Sequence, residues 1–207
     1  MVRIKICGIT NLEDAVFCEQ VGADAIGFVH KEGSKRYIQL ERIKEIVKKL
    51  GPFITTVLVC APKTAEEAMK MVEESGAECI QLYSLKLDEI KEIKKSGVKV
   101  IRVVGIDVNK NECVESPYEY VKVCDAVLFD SVMNGKAGGL GKGYNLSAIP
   151  KIKGKIIVAG GLNPENVSEA LKLKPYAVDV CSGVEKEYGK KDYELVEKFV
   201  ERVKEYK

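Results

Sequence analysis

The chain has 207 residues, 46% hydrophobic and 31% charged, with 33 basic and 31 acidic side chains and a net charge of +2. This composition excludes disordered, collagen-like and coiled-coil chains, and the near-neutral charge supplies no general field for DNA, RNA or an anionic membrane. The start, Met1-Val2-Arg3-Ile4-Lys5-Ile6-Cys7-Gly8, lacks a signal-peptide core, and no run approaches the roughly 18 to 20 apolar residues that span a bilayer. A cytoplasmic protein without nucleic-acid or membrane partners is expected. The seven cysteines are scattered with no C-x-x-C pair, which suggests neither a disulfide framework nor a thiolate zinc site. His30 is the single histidine, so sites built on several His ligands are excluded and a Ser-His or Cys-His nucleophile is disfavoured; no metal is expected. The dominance of Lys and Glu leans toward a heat-adapted source.

In chain order, the first strand is predicted at Arg3–Ile6. A helix follows it, opened by the capping box Thr10-x-x-Glu13. The second strand, Ala25–Val29, precedes a helix running from Ser34 or Gln39 to Leu50 and stopped by Gly51-Pro52. The third, Thr55–Val59, precedes a helix with a second capping box, Thr64-x-x-Glu67. Further strands are predicted at Cys79–Leu82, Lys99–Val104, Ala126–Phe129, Lys155–Val158 and Ala177–Val180. A last helix, Asp192 to Lys204, carries Tyr193, Val196, Phe199, Val200 and Val203 along one stripe. The strands are short, rich in Ile and Val and almost continuously apolar, as parallel strands covered on both faces are. Gly22-Ala23-Asp24-Ala25-Ile26 is echoed by Gly76-Ala77-Glu78-Cys79-Ile80, a weak repeat two βα units apart. Eight units at about 26 residues each make a (β/α)8 barrel of minimal length spanning residues 1–207 as one domain. An open doubly wound sheet is the competing fold, and the count of eight favours the barrel.

Barrels bind ligands in the loops that follow the strands. Loop seven, Ala159-Gly160-Gly161-Leu162-Asn163-Pro164-Glu165, and loop eight, Cys181-Ser182-Gly183-Val184-Glu185, pair small residues where barrels commonly hold phosphate through backbone N–H groups; tight turns alone are the plainer explanation for either loop by itself. Loop six is long and glycine-rich from Asp130 to Gly143. Its Gly139-Leu140-Gly141-Lys142-Gly143 lacks the spacing and hydroxyl of a P-loop, so it reads as a lid or as a surface loop rather than an ATP site. Asp130 stands at its predicted strand end, where a carboxylate meets solvent, a partner or a substrate; Cys7 ends the first strand before Gly8 and is either a strand-end thiol with a role or, as one of seven, a packing residue. Arg36, one of five arginines, either forks onto a carboxylate or phosphate or is a solvated charge. Asp179, in the last strand, either orients a loop, touches a substrate hydroxyl or is structural.

At these residues the sequence resembles phosphoribosylanthranilate isomerases. The resemblance is carried by Lys5-Ile6-Cys7-Gly8-Ile9-Thr10, Gly27-Phe28 with Ser34-Lys35-Arg36-Tyr37-Ile38, Gln81-Leu82, and Leu128-Phe129-Asp130-Ser131 with Gly138-Gly139-Leu140-Gly141-Lys142. It continues through Ala159-Gly160-Gly161-Leu162-Asn163-Pro164-Glu165-Asn166-Val167, Asp179-Val180 with Ser182-Gly183-Val184-Glu185, and Gly189-Lys190-Lys191-Asp192. It implies an Amadori rearrangement of a phosphoribosyl substrate in tryptophan biosynthesis with no metal or organic cofactor, in a monomer or homodimer. Asp130 would be the general acid and Cys7 the general base. Arg36 would meet the anthranilate carboxylate, and the loop glycines, Gly160, Gly161 and Gly183, with Ser182 would meet the phosphate; Asp179 is carried as a substrate-binding residue.

Two positions depart from that pattern: Tyr83-Ser84 where the family commonly has His-Gly, and Cys181 where it commonly has Ser. The rival readings are a related ribotide isomerase of histidine biosynthesis, whose first strand begins with an acidic base where this chain has Cys7, and a phospho-ligand-binding barrel without catalysis.

Overall fold

The computed structural model describes residues 1–133, 136–137 and 143–206. Eight parallel strands, β1 (Arg3–Cys7), β2 (Ala25–His30), β3 (Thr55–Cys60), β4 (Cys79–Leu82), β5 (Lys99–Asp107), β6 (Ala126–Met133), β7 (Ile156–Val158) and β8 (Ala177–Val180), pair each with the next. The circle closes where β8 pairs with β1, in the register Arg3↔Ala177, Ile4↔Val178, Lys5↔Asp179 and Ile6↔Val180. That pairing excludes the open sheet, whose first and last strands would be separate edges.

Around the barrel lie α1 (Leu12–Gln20), α2 (Leu40–Val47), α3 (Ala65–Ser75), α4 (Leu87–Lys95), α5 (Tyr120–Val123), α6 (Val167–Leu171) and α7 (Tyr193–Glu205). A single 3₁₀ turn, Leu146–Ala148, stands where a helix would follow β6. Short antiparallel pieces decorate the loops: Glu112–Cys113 against β5, and Glu185–Glu187 against Lys190–Lys191 after β8.

Two of the predicted helix starts are modified. Asn11, rather than Thr10, caps α1 by accepting from the Asp14 N–H at 2.8 Å. The Thr10 hydroxyl instead donates to the Gly189 carbonyl at 2.5 Å, tying loop one to loop eight. Thr64 does cap α3, but the Glu67 carboxylate accepts from the Lys63 N–H at 2.7 Å, one residue before the position a complete capping box requires. The helix after β2 begins at Leu40, while Ser34 accepts from the Arg36 N–H in a turn ahead of it. Along α7, Val196, Phe199, Val200 and Val203 are buried as the stripe requires; Tyr193 is 40% exposed and stacks on Phe17 with ring centroids 3.9 Å apart.

Strand periodicity divides the core in two. Outward residues such as Ile4, Ile6, Ile26, Phe28, Leu58 and Ile80 pack under the helices against Ile43, Ile90 and Phe199. Inward residues Val57, Val59, Ile101, Val103, Leu128 and Ile157 fill the barrel. Each fully buried large apolar side chain contributes about 1.5–3 kcal/mol. Among the described residues no helix is long and apolar enough to cross a membrane.

Candidate active site

On β1, β6 and β8 the inward face carries polar or ionisable groups toward the C-terminal ends, whereas β3 and β7 keep Val59 and Ile157 there. Lys5 and Asp179, register partners on β1 and β8, form an ion pair of 2.9 Å with side chains 3% and 7% exposed. Cys7 follows two residues after Lys5 on the same face, and its neighbour across the closure is Cys181. Room for the Lys5 and Cys7 side chains is supplied by Gly27 on β2, where a Cβ would lie 2.9 Å from Cys7 Sγ and 3.1 Å from Lys5 Nζ.

This setting changes the Cys7 thiol. A hydrogen bond from the Cys181 thiol, then attraction by Lys5 and Lys191, outweighs burial and the Asp179 charge, and lowers its pKa to about 7. Cys181 is the member of the pair that keeps its proton, held well above the usual thiol range by that bond and by burial. Lys191 is fully buried; its ammonium donates to the Cys7 carbonyl at 2.7 Å, the Cys181 carbonyl at 3.3 Å and Glu185 Oε1 at 3.1 Å.

Asp130 lies on the inward face of β6 but does not close that strand as its sequence suggests: pairing with β7 stops at Phe129, while β6 runs on beside β5 to Met133. Its Oδ1 accepts from the Ser131 N–H at 2.8 Å, and its Oδ2 accepts from the Tyr83 hydroxyl at 3.4 Å. Burial, and next the charge of Asp179, raise its pKa to about 6 against the lowering influence of Ser131, Tyr83 and Lys5. A carboxyl displaced upward and a thiol displaced downward both titrate close to neutrality, which suits one for proton donation and the other for proton removal.

Arg36 is buried rather than solvated. Its Nε and Nη2 donate to the two oxygens of Glu185 at 2.8 and 2.6 Å, so the fork expected for a ligand is occupied by a carboxylate of the protein itself. Nη1 has no hydrogen-bond partner among the described residues. In loop seven, the N–H groups of Gly160 and Gly161 likewise donate to nothing among the described residues. Ser182 and Gly183 begin the 3₁₀ turn Ser182–Val184. A Cβ at position 183 would lie 1.9 Å from the Leu162 carbonyl oxygen, so this glycine is needed for loops seven and eight to touch, whatever else it binds. His30 is half-buried with Nδ1 3.0 Å from the Ile38 carbonyl. The expected lid with its Gly138-Gly139-Leu140-Gly141-Lys142 segment lies outside the described residues.

Sequence reasoning assigned no role to Lys5, Tyr83, Glu185 or Lys191. Lys5 had a legible signal, a charge between Ile4 and Ile6 on the inward side of an otherwise apolar strand. Glu185 and Lys191 had none beyond lying in the final two motifs.

The chain matches the family model described as N-(5'phosphoribosyl)anthranilate (PRA) isomerase over residues 4–202. It belongs to the PRA isomerase family. It is 41% identical over 208 residues to the N-(5'-phosphoribosyl)anthranilate isomerase of Thermotoga neapolitana, covering 99% of both chains. Among solved structures it is similar to the Thermotoga maritima phosphoribosyl anthranilate isomerase, with 35% identity, a TM-score of 0.85 and 99% of each chain covered. It is also similar to a phosphoribosyl anthranilate isomerase in complex with reduced 1-(o-carboxyphenylamino)-1-deoxyribulose 5-phosphate, with 34% identity, a TM-score of 0.81 and 99% of each chain covered. In this member of the family the C-terminal side of the barrel thus brings together Cys7, Tyr83, Asp130 and the two small-residue loops, with the Lys5–Asp179 pair beside them.

Proposed function

We propose that this protein catalyses the Amadori rearrangement of N-(5-phosphoribosyl)anthranilate to 1-(2-carboxyphenylamino)-1-deoxyribulose 5-phosphate. The observation that supports the mechanism is the pair formed by Cys7, at the end of β1, and Asp130, on the inward face of β6, with pKa values of about 7 and about 6. Protonated Asp130 gives its proton to the furanose ring oxygen as the C1–O bond breaks, leaving an iminium between C1 and the anthranilate nitrogen. The Cys7 thiolate then takes the C2 proton, which the iminium has acidified, and the resulting enolamine tautomerises to the ketone. Each transfer by a positioned group contributes typically about 10²–10⁴-fold.

Binding groups hold the sugar between the two. The N–H groups of Gly160 and Gly161, which donate to nothing among the described residues, take the phosphate together with Ser182 and Gly183. Arg36 presents Nη1 to the anthranilate carboxylate while Glu185 keeps the guanidinium plane fixed. Asp179 engages Lys5 through Oδ1 and leaves Oδ2 for a sugar hydroxyl. Binding energy from these remote contacts keeps C1 and C2 against the acid and the base. We read the enzyme as cytoplasmic, a monomer or homodimer, working without a metal or organic cofactor.

The test follows loss of the substrate's anthranilate fluorescence. Turnover by the wild type, lowered by roughly 10²–10⁴-fold in Asp130→Asn with binding of a reduced product analogue retained, is the expected result. Binding of that analogue without turnover by the wild type would sink the isomerase and leave a phospho-ligand barrel.

A further inference from the structure

We propose that Tyr83 is a positioning residue of this reaction: its phenol hydroxyl holds Asp130 in the orientation from which the carboxyl gives its proton to the sugar ring. The proposal rests on the reading of Asp130 as general acid.

The backbone at Tyr83 is set from behind the barrel wall. Arg102, 5% exposed on the outward side of β5, donates through Nη1 to the carbonyls of Leu82 at 3.2 Å and Ser84 at 3.1 Å, the residues on either side of Tyr83. Ser84 adds a hydroxyl bond of 2.7 Å to the Pro62 carbonyl, and Tyr83 N–H donates to the Cys60 carbonyl at 3.4 Å. The ring itself has the Lys31 ammonium 5.0 Å from its centroid. Five contacts, from β3 and the loop after it, from β5 and from loop two, therefore fix the residue whose hydroxyl reaches Oδ2 of Asp130 at 3.4 Å.

On the other side of the carboxyl, Oδ1 is held by the Ser131 N–H at 2.8 Å. With both oxygens engaged, the carboxyl cannot rotate without giving up a partner, and the proton belongs on Oδ2, the oxygen toward Tyr83. A phenol suits that place because its hydroxyl is a donor. It donates to Oδ2 in both states, more strongly to the carboxylate, so in the acid the Oδ2 proton points at the sugar and not at the phenol. Tyr83 is not itself the acid: burial and the neighbouring Asp130 charge hold its own proton well above the ordinary phenol range.

The other groups facing Asp130 are Asp179 from β8, Lys5 from β1 and Tyr144 after β6. All of these remain when the Tyr83 hydroxyl is removed. Donation to a carboxylate favours its charged form, so losing the hydroxyl raises the pKa of Asp130.

The experiment is the pH dependence of kcat and kcat/KM for the wild type, Tyr83→Phe and Tyr83→His. In Tyr83→Phe, kcat should fall about tenfold with KM changed less than about twofold, and the limb that reads Asp130, near 6 in the wild type, should move upward. Tyr83→His returns an N–H donor and should restore most of kcat and bring that limb back. An unchanged kcat and an unmoved limb in Tyr83→Phe overturn the proposal. So does a loss of kcat with no movement of the limb and no rescue by His, the signature of a merely structural ring. If Tyr83→Phe does not fold, Tyr83→His decides alone: the limb must stay at its wild-type position, and a displaced limb overturns the proposal. Full activity in Asp130→Asn would instead remove the reading beneath it, a result that Tyr83 variants cannot mimic.

Discussion

The two faces of β1 carry the same kind of short strand into opposite chemistry. Outward, Ile4 and Ile6 are sealed beneath the helices; inward, Lys5 and Cys7 stand in a cluster of charge. The cysteines make the contrast sharper. Cys18, Cys60 and Cys79 are buried in largely apolar surroundings and their thiols are pushed up to about 12 by burial, whereas Cys7, equally sequestered, is lowered to about 7 because Cys181, Lys5 and Lys191 surround it. Burial alone makes a thiol inert; burial beside donors and cations lets it ionise near neutral pH.

That contrast can be broken by exchanging the faces under mutation. Cys7→Ala should lower kcat by roughly 10²–10⁴-fold with the thermal midpoint nearly unchanged. The adjacent Ile6→Ala should do the reverse, costing about 2–5 kcal/mol of stability while the folded fraction keeps its kcat. Denaturant unfolding paired with active-site-normalised kinetics separates the two, and a catalytic defect in Ile6→Ala as deep as that in Cys7→Ala would erase the distinction between faces.

Reactivity sharpens it next. Alkylation requires the thiolate, so the Cys7 rate should rise with pH through about 7 and then level. At pH 7, Cys60 and Cys79 should react about 10²–10³-fold more slowly, their small thiolate fraction being partly offset by the greater nucleophilicity of a basic thiolate. Peptide mapping after iodoacetamide pulses at several pH values measures this, and a half-maximal rate for Cys7 above pH 8.5 would mean that Lys5, Lys191 and Cys181 do not act as described.

The smallest effect concerns the loops. Gly183→Ala forces a methyl against the Leu162 carbonyl, where a Cβ would approach to 1.9 Å. It should cost about 1–3 kcal/mol and raise KM with little change in kcat, since it displaces the proposed phosphate loops and leaves Cys7 and Asp130 in place. Equal KM values in mutant and wild type would show that contact between loops seven and eight does not shape the phosphate site.

Much of this arrangement was legible in the chain. All eight strands lie within a few residues of their predicted spans, because a run of Ile and Val covered on both faces is a local signal, and eight of them sufficed to favour closure. Cys7 was legible as a strand-end group for the same reason; Asp130 was expected at an end too, but β6 runs three residues past it to Met133 because it keeps pairing with the long β5. Arg36 was legible as a guanidinium near the mouth, but its occupation by Glu185, 149 residues away, was not. The start of α1 was misplaced by one residue because Thr10 has a stronger partner in loop eight than in its own helix.

By itself, then, the sequence determined the barrel and the addresses of Cys7 and Asp130 at its C-terminal side, since periodicity and the order of strand and loop depend on neighbours along the chain. Only the tertiary structure decided what those groups are. Closure sets β8 against β1, bringing Asp179 to Lys5 across 174 residues, Cys181 to Cys7, and the Lys191 ammonium to the Cys7 carbonyl across 184 residues. Protonation energies follow from charges and donors within a few ångströms, and those neighbours exist only once the first strand and the last lie side by side.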